Sequence, residues 1–388
     1  MIVQTAKGER MSDENSNEVM ADNAKNAPKA EANKYTFSSG LPRWLAQNDL
    51  SIAATSYQSG KLYFVGANPK GGVMVHERFF RKAMGLSSPK PGTLVMASLF
   101  QAIRFENVVK KGERANEVFD ACFVPRQLWV TGELDLHDIG LLDDGNPVFV
   151  ATRWNCLAQG SQRYSFKQHW RPPFISGLVQ EDRCHLNGMA MGEGDMAGTP
   201  QYVTACSKSD TVDGWRDRRS NGGVVIEVAT GKVVAEGLSM PHSPRLANGK
   251  LYVLNSGTGQ LGWIDLEKPP AEAFQPIVFC PGFARGLAIR GNKAVIGLSK
   301  PRYERFDGLA LSDELEARDS EAWCGIQVID MTSGTVEHWF RIDGPVSELY
   351  DVCFLEETSC PMALSFANND IASFIVPEPL GEVGAASA

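Results

Sequence analysis

The chain has 388 residues, 43% hydrophobic and 22% charged, and 38 Lys and Arg against 46 Asp and Glu give a net charge of −8. That composition is ordinary for a globular protein holding one large domain or two smaller ones. No Lys/Arg-rich run stands out and no apolar run nears the roughly 20 residues of a membrane span, so neither nucleic acid nor membrane is expected as a partner.

Residues 1–38 are polar, rich in Asn, Lys, Glu and Ala, and carry no apolar signal core. They read as a disordered tail, with the cytoplasm as the default compartment. Leu41-Pro42-Arg43-Trp44-Leu45 is a short apolar lead-in of helical character. Ser51 to Tyr57 and Lys61 to Gly66 then read as two strands joined at Gln58-Ser59-Gly60, with Gly72 to Glu77 as a third and Lys82 to Leu86 as a fourth. Residues 91–132 hold further strand-like runs, at Thr93 to Phe100, Asp120 to Val124 and Gln127 to Val130. They read as the completion of an expanded blade; the alternative makes them a separate seventh blade.

The same grammar recurs from His137-Asp138-Ile139-Gly140-Leu141, His185-Leu186-Asn187-Gly188-Met189, His242-Ser243-Pro244-Arg245-Leu246 and Phe283-Ala284-Arg285-Gly286-Leu287. Each start is followed by a turn with Gly or Asn and a β-rich run. Gly222 to Val228, Gly262 to Leu266 and Gly325 to Asp330 fill equivalent third-strand places. The charged stretch 301–323 reads as a surface excursion or short helix. The last copy runs from Tyr350 to Phe354, then Met362 to Phe366, with Ala372 to Val376 as its third strand. Starts near 51, 137, 185, 242, 283 and 350 predict an all-β, six-bladed propeller over residues 39–378, with a frayed tail at 379–388. Ring closure requires the two ends to share a blade, since an open edge invites aggregation. The segment 41–50 is the expected extra strand.

The first strand of each blade lines the central channel, so one register position points at one zone of it. That position holds Ser51, His137, His185, His242, Phe283 and Tyr350. Three of the six histidines of the chain fall there, on consecutive blades. Three converging neutral imidazoles with an open position suit a catalytic metal, zinc first, with iron or copper as other candidates. Arg285 is placed to meet an anionic substrate group, and Asp351 or Tyr350 to move a proton. The plain alternative gives the imidazoles to backbone carbonyls and Asp351 to an interblade ion pair. His76 and His338 fall on outer strands, and His169 precedes Trp170-Arg171-Pro172-Pro173; all three read as structural or exposed. The pairs Trp154-Asn155 and Trp215-Arg216 read as loop and packing features. The eight cysteines show no Cys-x-x-Cys pair and read mostly as small buried apolar groups. Phosphate-binding Gly-rich loops and a Gly-x-Ser-x-Gly elbow are absent from the sequence.

The strings Leu41-Pro42-Arg43-Trp44-Leu45 through Phe64-Val65-Gly66, Trp154-Asn155-Cys156-Leu157, His185-Leu186-Asn187-Gly188 and Pro241-His242-Ser243-Pro244-Arg245 resemble an uncharacterised bacterial family of conserved hypothetical proteins. The resemblance covers about residues 40 to 376 and implies a propeller-like domain, with no established activity. One channel His on each of three blades is similar in layout to the zinc site of the peptidylglycine amidating lyase propeller. Gluconolactonase-type propellers hold a divalent cation mainly with carboxylates and Asn, a pattern from which this chain departs.

The sequence therefore points to a metal-dependent enzyme of lyase, hydrolase or oxygenase type, acting on a small molecule or peptide. The alternative is a non-catalytic binding or scaffold propeller. A third reading, a lactone hydrolase with carboxylate-bound calcium, predicts calcium dependence independent of the histidines. Nothing in the sequence sets the oligomeric state.

Overall fold

The computed structural model describes residues 32–301 and 308–377. Its strands form six antiparallel sheets whose innermost strands contact one another in a closed ring, a six-bladed β-propeller. Among the described residues helix is confined to Leu41–Gln47, Leu311–Ala317 and Asp370–Ser373 (with a few single 3-10 turns), and none is long and apolar enough to cross a membrane.

Blade 1 runs from inside to outside as Asp351–Glu356, Leu50–Ser56, Lys61–Ala67 and Val73–Phe79. Blade 2 follows as Leu86–Lys90, Thr93–Ala97, Gln101–Asn107 and Ala121–Val130, with Pro361–Ala363 added in parallel at its rim. Blade 3 begins at Leu136–Leu141, blade 4 at Leu186–Met191, blade 5 at Pro241–Ala247 and blade 6 at Phe283–Arg290. Blade 6 carries a fifth strand, Lys34–Phe37, on its outer edge. The second strands, such as Leu50–Ser56 and Pro147–Ala151, are buried throughout. They sit between inner and outer strands of one sheet and between two neighbouring blades, so they read as continuous apolar runs instead of alternating ones.

The expected blade count holds, but its membership differs. The repeats near 51 and 350 are one blade, whose innermost strand comes from the C-terminal end and pairs from Leu50–Glu356 to Thr55–Asp351. Residues 91–132, expected to complete an expanded first blade or to form a separate seventh one, belong to a full blade of their own that begins at Leu86 and takes the second place in a ring of six. The 41–50 segment supplies no extra edge strand: Leu41–Gln47 is helical, and its Leu41 and Leu45 are buried against the core. Closure instead comes from the inner C-terminal strand, because pairing there satisfies both edges of Leu50–Ser56. The expected disordered tail at 1–38 is too long by at least one strand, since Lys34–Phe37 pairs with Phe340–Asp343; residues 1–31 lie outside the described residues, as do 378–388 and hence the expected tail at 379–388. Pro361–Ala363 joins blade 2, and Asp370–Ser373 is helical where a third strand was expected. In the 301–323 excursion a short helix does form, at Leu311–Ala317. All eight cysteines are free and buried.

Around the axis the innermost strands approach so closely that alternate blades use glycine. A Cβ on Gly85 of blade 2 would lie 2.7 Å from the Cα of Asp138 in blade 3, and one on Gly286 of blade 6 2.6 Å from the Cα of Asp351 in blade 1. Gly286 also has φ +73°, which only glycine adopts without cost. Side chains of the odd blades fill the space so released and cap the next blade's backbone. The Asp138 carboxylate accepts from Met189 N at 3.0 Å, the Ser243 hydroxyl from Gly286 N at 3.0 Å, and the Asp351 carboxylate from Leu86 N at 2.8 Å. Arg245 of blade 5 then spans the axis, reaching Asp138 at 2.8 Å and Asp351 at 3.5 Å.

Burial, reinforced by the nearby Asp138 charge and opposed by Arg245, holds the Asp351 carboxyl up at about 7. Its folded pKa thus exceeds the unfolded value of about 4, so its stabilising contribution is complete below pH ~4 and is lost as pH rises through ~7. In Arg245→Met the two carboxylates keep their burial and lose their cation, which should destabilise the ring by about 3–5 kcal/mol at neutral pH. The deficit should shrink toward pH 5 as Asp351 is protonated. Urea melts at pH 5 and pH 8 check this; a deficit equal at both would mean that the two acids are not held by the guanidinium.

Candidate functional site

The channel opens on one face into a cavity of about 800 Å³, bordered by residues at or just before the starts of the innermost strands. His137, His185, Arg285 and Tyr350 line it, with Met84 occupying the place in blade 2 that the sequence reading gave to Ser51. Ser51 is on the second strand of blade 1 and fully buried, away from the channel, because the repeat it begins takes its inner strand from the other end of the chain. A second cavity of about 370 Å³, bordered by Lys90, Arg245 and Arg290, lies toward the other ends of the inner strands. The two cavities share no lining residue.

His137, His185 and His242 come from blades 3, 4 and 5 and are 6%, 8% and 3% exposed. Each follows a left-handed residue two or three positions earlier: Asp135 at φ +60°, Asp182 at φ +45° and Met240 at φ +46°. Asp tolerates that conformation, whereas for Met it costs on the order of 1–2 kcal/mol. The turn brings an acceptor back onto each imidazole. His137 Nδ1 meets the Asp135 carbonyl oxygen at 2.9 Å, His242 Nδ1 the Met240 carbonyl oxygen at 2.7 Å, and His185 Nδ1 the Asp182 carboxylate at 2.9 Å. An acceptor at Nδ1 places the ring proton there and leaves Nε2 with its lone pair. No hydrogen bond among the described residues uses any of the three Nε2 atoms, and that of His242 is buried without a partner.

His137 and His185 stand edge to face with ring centroids 4.9 Å apart. His185 is also stacked on Trp215 at 4.1 Å, and the Trp215 indole N–H donates to Asp182 at 3.0 Å, so one carboxylate fixes both rings. Lys82 pairs with Asp135 at 2.8 Å. Burial raises the Asp135 pKa, but in the acid range where this carboxyl titrates the charges of protonated His137 and of Lys82 outweigh it and hold the group well below the usual range. Burial pushes His137 down to about 4 and His242 well below its ordinary value, with the Arg285 charge adding to both. Both imidazoles are therefore neutral at pH 7 and accept at Nε2. Burial also drives the Tyr350 phenol well above its ordinary pKa, so it remains a proton donor.

His242 lies beside the cavity lining, its ring 5.5 Å from that of Phe283. Asp351 is not brought to the histidines: its oxygens are taken by Leu86 N, Val352 N and Arg245 in the axial strap, where it serves the interblade contact. Among the described residues, no group of three or more His, Cys, Asp or Glu side chains stands close enough, as placed, to hold a metal ion. Sequence reasoning missed Lys82, Asp135, Asp182 and Trp215, and set the Trp215-Arg216 pair aside as packing, whereas both residues line the cavity. The available signal was an Asp two residues before His137 and three before His185.

Asp182→Asn keeps the shape of the contact and removes the negative charge behind His185. We expect the His185 Nδ1–H resonance to lose the downfield position that a hydrogen bond to a carboxylate gives, read by NMR of the ring protons; an unchanged resonance would mean that the carboxylate does not hold the ring.

No curated protein matches the chain in sequence. Solved structures with a similar fold include a nidogen/laminin complex (10% identity, TM-score 0.47, covering 79% of this chain and 99% of that one) and a streptogramin B lyase (11% identity, TM-score 0.43, covering 79% and 84%). A putative gluconolactonase also matches, at 11% identity and TM-score 0.40, over 68% of this chain and 79% of that one. At these identities the likeness concerns the fold alone. The family model described as "Domain of unknown function (DUF4915)" matches residues 39–364, and the chain belongs to that family.

Proposed function

We propose that the histidine cavity is the catalytic centre of an enzyme of lyase or hydrolase type acting on a small molecule or peptide. The observation that carries this reading is the shared posture of His137, His185 and His242, each held at Nδ1 and each with an unclaimed Nε2. A buried imidazole that only braced the ring would use both nitrogens, since an orphaned polar atom costs about 1–3 kcal/mol. His185, backed by Asp182, takes a proton from the substrate, because the carboxylate stabilises the imidazolium that forms. Tyr350 stays protonated and supplies a proton or hydrogen bond to the departing or developing oxyanion. His137, neutral beside it, orients the substrate as an acceptor.

A second reading is favoured by the same posture. An imidazole anchored at Nδ1 by a carbonyl or carboxylate is prepared to bind a metal through Nε2. The three rings would then hold a divalent ion, zinc before iron or copper, if they closed on one another from their present places, and an oxygenase would join the reaction classes. The metal would act as a Lewis acid toward the substrate.

Elemental analysis of untagged protein separates the two. Stoichiometric metal that disappears in His185→Ala and His242→Ala supports the metal reading; metal-free, chelator-resistant protein supports catalysis by the imidazoles alone. On any substrate turned over in a lyase and hydrolase screen, His185→Asn should lower kcat about 10²–10⁴-fold. Turnover insensitive to His185 and His137 together would sink the catalytic reading and leave a binding propeller.

A further inference from the structure

Of the cationic side chains bordering the histidine cavity, Lys82 pairs with Asp135, Arg153 with Glu133 and Arg216 with Asp213, and Arg219 is engaged too. Arg285 has no carboxylate and no hydrogen-bond partner among the described residues, and its Nε is buried with nothing to receive its proton. What surrounds it is aromatic. The guanidinium carbon lies 5.1 Å from the ring centre of Phe283 and 5.1 Å from that of Tyr350. Those two rings lead on to the imidazoles: Phe283 is 5.5 Å from His242, and Tyr350 is 5.7 Å from His137. An unpaired, half-buried guanidinium is a standing cost to the free protein, only partly offset by cation–π attraction.

We propose that Arg285 is the receptor for a single carboxylate group of the substrate, which it holds in the cavity beside Tyr350 and presents to His137 and His185. This deepens the reading of the cavity as a substrate site and rests on it. A guanidinium fork matches a carboxylate in two parallel hydrogen bonds. One carboxylate is inferred, and not a phosphate or polyanion, because the neighbouring cations Lys82, Arg153 and Arg216 are paired with acids of the protein and Arg219 is engaged elsewhere. A flat, apolar group next to that carboxylate fits the remaining walls, where Met84, Met240 and Trp215 border a space of about 800 Å³.

The test uses the full chain with benzoate, its neutral counterpart benzamide, and inorganic phosphate as probes in isothermal titration calorimetry. Benzoate should bind to the wild type, benzamide at least tenfold more weakly, and Arg285→Met should weaken benzoate at least tenfold. Arg285→Lys should recover only part of the loss, since an ammonium cannot make the two-pronged contact. The Arg285 Nε–H resonance of the wild-type protein should shift with benzoate, a readout that stands even if the variants fail to fold. Equal affinity for benzamide, tighter binding of phosphate than of benzoate, or an Nε–H signal unmoved by benzoate each overturns the assignment. Absence of benzoate binding in a protein whose turnover still depends on His185 would remove the carboxylate receptor alone. Benzoate binding lost in Arg285→Met, in a protein without turnover, would keep the receptor and remove the catalytic reading.

Discussion

Asp138, Arg245 and Asp351 hold the centre of this propeller together. They come from blades 3, 5 and 1, and the guanidinium of one bridges the carboxylates of the other two across the channel axis. Each carboxylate also caps a backbone N–H of the next blade, and the Ser243 hydroxyl of blade 5 does the same for blade 6. The innermost strands would otherwise leave polar backbone facing a narrow channel, where unpaired donors are costly. With the strap in place the channel is divided, and the larger cavity is left to the histidines.

The same crowding that demands Gly85 and Gly286 sets the inner strands of neighbouring blades against one another at Asp138 and Asp351. His137 immediately precedes Asp138, Tyr350 precedes Asp351, and Arg285 precedes Gly286. A residue anchored in the strap thus delivers the one before it to the cavity. Function and closure are adjacent in sequence because they are adjacent along the axis.

That adjacency explains what could be read beforehand. His137, His185 and His242 stood out because the Gly- and Asn-bearing turns after them mark strand starts, and turn chemistry is local. Arg285 and Tyr350 followed from the same register. The partners behind the imidazoles did not: Asp135 and Asp182 act through left-handed turns, and the Trp215 that stacks on His185 arrives from a long loop outside the repeat. Asp351 carries two expectations, proton carrier and interblade ion pair, because its place near a strand start does not reveal which way it faces, and the structure gives it the ion pair. Blade number was recovered although membership was wrong. Counting 51 and 350 separately compensated for folding 86–130 into its neighbour, since a pairing such as Thr55 with Asp351 leaves no trace in local pattern.

The innermost strand of blade 1 is made after every other innermost strand, although it stands beside the first of them in the ring. During synthesis, five blades and three strands of another can emerge before Asp351–Glu356 leaves the ribosome. Until then Arg245 lacks one of its acids and Arg285 lacks the Tyr350 ring. A nascent or truncated product ending before residue 350 therefore holds every histidine of the cavity but lacks the Tyr350 ring and the second acid of the strap, so the cavity wall is finished only when the strand that closes the ring has been made.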